Sequence, residues 1–66
     1  MARADYVYLI ERTGTPYRAF TVKHELRRWL RRQSEHEIGL FDLFRLRDDQ
    51  DVAPSVMSIQ DVIDGK

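Results

Sequence analysis

The apolar run that opens Tyr6–Arg12 (YVYLIER) is rich in aromatic and β-branched side chains and reads as a strand. Tyr6, Tyr8 and Ile10 share one face, and Val7, Leu9 and Glu11 share the other. Thr13-Gly14-Thr15-Pro16 supplies turn chemistry, because glycine accepts a positive φ and proline is tolerated at a strand start. Tyr17–Phe20 (YRAF) then returns as a short second strand and closes a hairpin. From Val22 the period changes. Val22, Leu26, Trp29 and Leu30 stand at i, i+4, i+7 and i+8, one stripe of an amphipathic helix within VKHELRRWLRRQS, with Thr21 as its expected N-cap.

Glu35–Gly39 is expected to be a polar connection. Strand character resumes in Leu40–Arg47 (LFDLFRLR), with Leu40, Asp42, Phe44 and Leu46 on one face and Phe41, Leu43, Arg45 and Arg47 on the other. Both faces are partly apolar, which predicts a central strand contacted from both sides. Asp48-Asp49-Gln50-Asp51 reads as a turn. Over Val52–Asp64, Val56, Ile59 and Ile63 at i, i+3 and i+7 predict a short final helix, with Pro54 in its first turn and Gly65 at its C-cap. Ser58 with Asp61 three residues on marks a later start for the same helix. The expected order is β-β-α-β-α, an α+β domain with a three-stranded, largely antiparallel sheet and two helices.

Composition narrows the function classes. A chain of 66 residues is one small domain, and 42% hydrophobic with 33% charged residues is a folded rather than a disordered profile. Cysteine is absent, which removes a disulfide framework, a thiolate nucleophile and any Cys-ligated zinc. The longest apolar run, Tyr6–Ile10, is too short to span a bilayer or to form a signal core, so no membrane partner is expected and a cytosolic location is. A core this small, without staples, is marginal, which makes a homodimer or a partner that buries more surface a natural expectation.

Net charge is zero but unevenly placed. Residues 1–33 carry eight basic against three acidic groups, and residues 34–66 carry three basic against eight acidic ones. Such a division suits a charged contact surface, packing of the two halves on each other, or head-to-tail association.

No motif names a reaction. His24-Glu25 opens like a metalloprotease helix, but Arg28 stands where the second histidine is required. Asp48, Asp49 and Asp51 resemble the start of a calcium loop, yet glycine is missing at the sixth position and Gln60 stands at the twelfth, counted from Asp49. The serines lack nucleophile-elbow glycines, and no phosphate loop exists. A non-catalytic chain without cofactor or metal is expected.

Three constellations suggest binding. Arg27, Arg28, Arg31 and Arg32 crowd one helical arc, a dense array of guanidiniums suited to phosphate or carboxylate. In a nucleic-acid groove it would act through counterion release, although zero net charge is unlike a dedicated nucleic-acid binder. The bland alternative is a solvated face paired with Glu25 and Glu35. Tyr6, Tyr8, Tyr17 and Phe41 form a second set. With both helices on one sheet face, one set of strand aromatics with Arg45 and Arg47 is expected to remain open on the other, as a protein hot spot or a base-stacking platform. The alternative places these rings in the core. Asp48, Asp49 and Asp51, with Asp61 and Asp64, form the third, an acidic group able to imitate a phosphate backbone.

The run AFTVKHELRRWLRR (Ala19–Arg32), set between YVYLIERTG and FDLFRLRDD, resembles short open reading frames of phages and mobile elements. In size and plan the chain is similar to small cysteine-free α+β inhibitors, among them anti-CRISPR proteins. The resemblance is one of organisation and spans the whole chain. It implies a stoichiometric inhibitor that binds a nuclease or surveillance complex and blocks its nucleic-acid site, and it transfers no functional residue. The rival expectation is a small regulator that binds nucleic acid directly through the arginine face.

Overall fold

The computed structural model describes residues 6–47 and 53–66. Strand β1 (Val7–Arg12) runs between β2 (Thr15–Phe20) and β3 (Phe41–Leu46), and β4 (Ser55–Met57) adds to the far side of β3. The sheet is antiparallel throughout, in the order β2-β1-β3-β4. Helix α1 (Lys23–Leu30) follows the hairpin, α2 (Glu35–Ile38) precedes β3, and α3 (Ile59–Ile63) follows β4. The fold is α+β, as the sequence predicts.

Local chemistry sets the register. Arg12 faces Thr15, so Thr13 and Gly14 alone make the hairpin loop, with φ of 50° and 85°. Positive φ at both positions is what a tight hairpin of this hand requires, and it is costly for β-branched Thr13. Further along, Ile10 faces Arg18 while Glu11 faces Pro16, leaving Tyr17 as the extra residue of a β-bulge. Pro16 sits on an edge strand, where its missing N–H costs no ladder bond, and proline and bulge together blunt that edge.

The core lies on one side of the sheet. Tyr8 and Ile10 of β1 and Phe41 and Leu43 of β3 meet Leu26 and Leu30 of α1 and Val62 of α3. Phe20, Trp29, Ile38, Met57 and Ile59 pack around this cluster, so all three helices contribute to the same layer. Leu26 and Leu30 are one helical turn apart on the buried stripe, as their spacing predicts.

Four features differ from the sequence reading. The sheet has a fourth strand: Val56 does not begin a helical stripe but pairs with Phe44 and is 78% exposed. The unpaired N–H and C=O groups of β3 recruit this segment, and the helix then starts at the later signal, where Ser58 Oγ accepts from the Asp61 N–H at 3.3 Å. Glu35–Ile38 is a helical turn rather than a plain connection, because Ser34 Oγ accepts from the Glu37 N–H at 3.2 Å. Helix α1 is capped at Val22 without a side-chain hydrogen bond, so Thr21 is not its N-cap and Val22, 46% exposed, is not on its buried stripe. Strand β3 is central, yet the described helices touch only one of its faces.

Candidate functional site

Two surfaces carry chemistry, one on each side of the molecule. On the helical side, α3 ends in a glycine cap. Gly65 takes a φ of 83°, its N–H donates to the Val62 carbonyl at 3.1 Å, and the Lys66 N–H donates to the Asp61 carbonyl at 2.8 Å. The last carbonyls of α3 carry the negative end of the helix dipole, and α1 meets them with cations. Arg27 Nε donates to the Val62 carbonyl at 2.7 Å, and Arg31 donates to the Ile63 carbonyl through Nε at 3.2 Å and Nη2 at 2.7 Å. Two of the four arginines are therefore anchored to α3 and part of what docks it on α1.

Arg28 lies one position round the helix from Arg27 and contacts His24 Nε2 through Nη2 at 3.0 Å. Arginine has no acceptor, so in this contact the guanidinium donates and the histidine nitrogen accepts. His24, Arg27, Arg28, Arg31 and Gly65 line a recess of about 450 Å³. Arg32 is exposed and stands outside it. The single ion pair among the described residues joins Arg12 to Glu37, so neither Glu25, Glu35 nor any other described carboxylate neutralises the arginine arc.

The opposite face of the sheet is apolar. Val7 faces Leu46, Leu9 faces Phe44 and Ala19, and Phe44 faces Val56. Partners in register project to the same side, so these six residues form one continuous patch across all four strands. None of them belongs to the core cluster or packs against it. Glu11 and Asp42 stand directly opposite each other at one end of the patch, two carboxylates with no described cation paired to them. A shallow groove of about 220 Å³, bounded by Leu9, Pro16, Tyr17, Arg18 and Ala19, runs along the β1–β2 side.

The expected aromatic surface is redistributed. Tyr8, 9% exposed, and Phe41 are in the core, so the set that includes Arg45 is the one under the helices and not the open one. Tyr6 is half-buried beside Tyr8 and lies under the guanidiniums of Arg45 at 4.6 Å and Arg47 at 5.3 Å. Tyr17 remains 42% exposed while its ring contacts Trp29 and Phe41, and the Arg18 guanidinium lies over that ring at 4.5 Å. Asp48, Asp49 and Asp51 lie outside the described residues. Sequence reasoning missed the patch of Val7, Leu9, Phe44, Leu46 and Val56. Its signal was the second apolar face of both YVYLIER and LFDLFRLR, which a strand covered on one side has no need of.

The Arg12–Glu37 pair is structural. Its bidentate fork, 3.0 Å from Nε and 3.2 Å from Nη2, ties the end of β1 to α2. The hydrogen bond from Arg12 holds the Glu37 carboxyl below its ordinary value, and the same contact raises the guanidinium. A depressed carboxylate stabilises the fold above its unfolded pKa and loses that contribution as pH falls through the folded one. Arg12→Gln is therefore expected to lower the thermal midpoint near neutrality, with the gap to wild type closing as pH drops below about 4. A gap constant from neutrality to acid would show that the pair contributes nothing through ionisation.

No group of three metal-ligating side chains occurs among the described residues, and no described helix is long and apolar enough to cross a membrane. Compared with known proteins, the chain matches no family model, no curated protein and no solved structure.

Proposed function

We propose that the chain is a non-catalytic cytoplasmic binding protein, a stoichiometric inhibitor or regulator of the phage type. It seats its open sheet face on a larger nucleic-acid-handling protein complex and blocks it, as the likeness to anti-CRISPR proteins implies. The observation that carries this reading is the apolar patch of Val7, Leu9, Phe44, Leu46 and Val56, ended by the Glu11–Asp42 carboxylates. A cleft that handles nucleic acid is lined with cations and apolar stacking surfaces, and this face offers the opposite charge with matching hydrophobicity. Exposed charges contribute about 0–1 kcal/mol each, whereas full burial of a Leu or Phe contributes about 1.5–3 kcal/mol. Affinity thus belongs to the apolar centre and discrimination to the carboxylates.

Capture on the tagged chain from a bacterial host lysate is expected to bring down a nuclease or surveillance complex. Titration of that complex is expected to stop its target cleavage near one equivalent. Leu9→Ser with Phe44→Ser should weaken binding by roughly thirtyfold or more, measured at a temperature where far-ultraviolet dichroism shows the variant folded, since a central hot spot contributes about 2 kcal/mol or more. Arg28→Glu with Arg32→Glu should leave binding intact. The reverse pattern, or salt-sensitive binding of bare oligonucleotides between about 50 and 200 mM salt, overturns the assignment in favour of the arginine side. A stable dimer dissociated by the same two serines would give the face to a second copy instead.

A further inference from the structure

We propose that the recess between α1 and the end of α3 is an oxyanion site that takes a phosphate monoester dianion. It is distinct from the sheet face, which lies on the other side of the β-layer, and does not depend on it.

Three observations converge. Arg27, Arg28 and Arg31 line one recess, and no described carboxylate is paired with any of them. Guanidiniums at such density repel one another, and an anion of matching charge relieves that repulsion. The guanidiniums are also held in place: Arg27 by the Val62 carbonyl, Arg31 by the Ile63 carbonyl and Arg28 by His24. Each keeps further N–H donors beyond those contacts, so a ligand meets forks that have already lost much of their rotamer freedom. Finally, the recess, at about 450 Å³, has room for a phosphoryl group with its ester substituent, within the usual size of small-molecule sites.

Charge and shape select the monoester. A carboxylate brings one charge and two oxygens, and a phosphodiester brings one charge and two terminal oxygens. A monoester dianion offers three oxygens and about two charges to three guanidiniums. A nucleic-acid backbone needs cations in a track. Here the anchoring of Arg27 and Arg31 to α3 folds the arc into a cup, with only Arg32 left outside.

The test is calorimetric titration of the full chain, at near-neutral pH and low salt, with phenyl phosphate, inorganic phosphate, dimethyl phosphate and a single-stranded oligonucleotide. Phenyl phosphate is expected to bind, with dimethyl phosphate weaker by about tenfold or more, as expected for the loss of a charge-assisted contact. Binding of inorganic phosphate as tight as phenyl phosphate would assign the site to the free ion and overturn the ester part of the proposal. Arg28→Gln, which leaves both α3 anchors in place, should weaken phenyl phosphate by about tenfold, and Arg32→Gln should not. Equal loss in both variants would reduce the effect to unspecific charge. Failure of phenyl phosphate to bind in the millimolar range, or tighter binding of the oligonucleotide, overturns the proposal. Partner capture through the sheet face is unaffected by these outcomes.

Discussion

Leu30→Ala is expected to remove roughly half of the protein's stability at room temperature. Leu30 is wholly buried on the last turn of α1, against the layer that contains Ile10, Leu43, Leu26 and Val62. Truncating a buried leucine costs about 2–5 kcal/mol, and the size of the loss depends on how far the site collapses. A domain of this size has only about 3–10 kcal/mol to lose. The backbone on either side of Leu30 leaves little scope for collapse: the Gln33 N–H donates to its carbonyl, and neighbouring Arg31 is tied to α3. Urea unfolding followed by far-ultraviolet dichroism measures the change. A loss under about 1 kcal/mol would mean that α1 is not docked on the sheet through this residue.

Trp29→Ala is expected to cost nearly as much by a different route. Its ring lies 5.3 Å from Phe41, 5.7 Å from Phe20 and 6.2 Å from Tyr17, so one side chain joins α1 to β2 and β3. Aromatic truncation in a core costs about 3–5 kcal/mol, and half-burial puts Trp29 at or below the lower end of that range. Tilted ring pairs add about 0.5–1.5 kcal/mol each beyond area, so Trp29→Phe, which keeps ring contacts, should recover more than half of the loss. Equal destabilisation by alanine and phenylalanine would show that the indole's bulk, rather than the ring cluster, holds the hairpin to the helix.

These effects bear on how the two candidate surfaces coexist in so small a chain. Helices α1 and α3 pack on Tyr8 and Ile10 of β1 and Phe41 and Leu43 of β3, and the described residues on the other side of those strands stay outside the core cluster. The arginines on α1 hold α3 and shape a recess with the same side chains. Reversing Arg31 would therefore confound stability with binding, and Arg28 and Arg32 are the informative positions on that helix.

Much of this was legible in the residues. YVYLIER and LFDLFRLR carry the aromatic and aliphatic runs of strands, Leu26 and Leu30 recur at the helical period, and Thr13-Gly14 and Gly65 stand where positive φ is needed. These are local properties, set by side-chain sterics and periodicity within a few residues. The fourth strand was not legible, because Ser55–Met57 is too short to show a period and is ordered by the unpaired edge of β3.

By itself the sequence determined that the chain is an α+β domain with a hairpin, one amphipathic helix and a dense arginine arc. Only the tertiary structure decided which face of each strand the described helices cover. Both strands are apolar on both sides, and a period of two marks the sets without ranking them; the packing of α1 and α3 on Tyr8, Ile10, Phe41 and Leu43 made the choice. It also decided what the arginines do, since the carbonyls that anchor Arg27 and Arg31 come from a helix more than thirty residues away in the chain. Periodicity places a side chain on its own element, and only contact between elements says what that side chain meets.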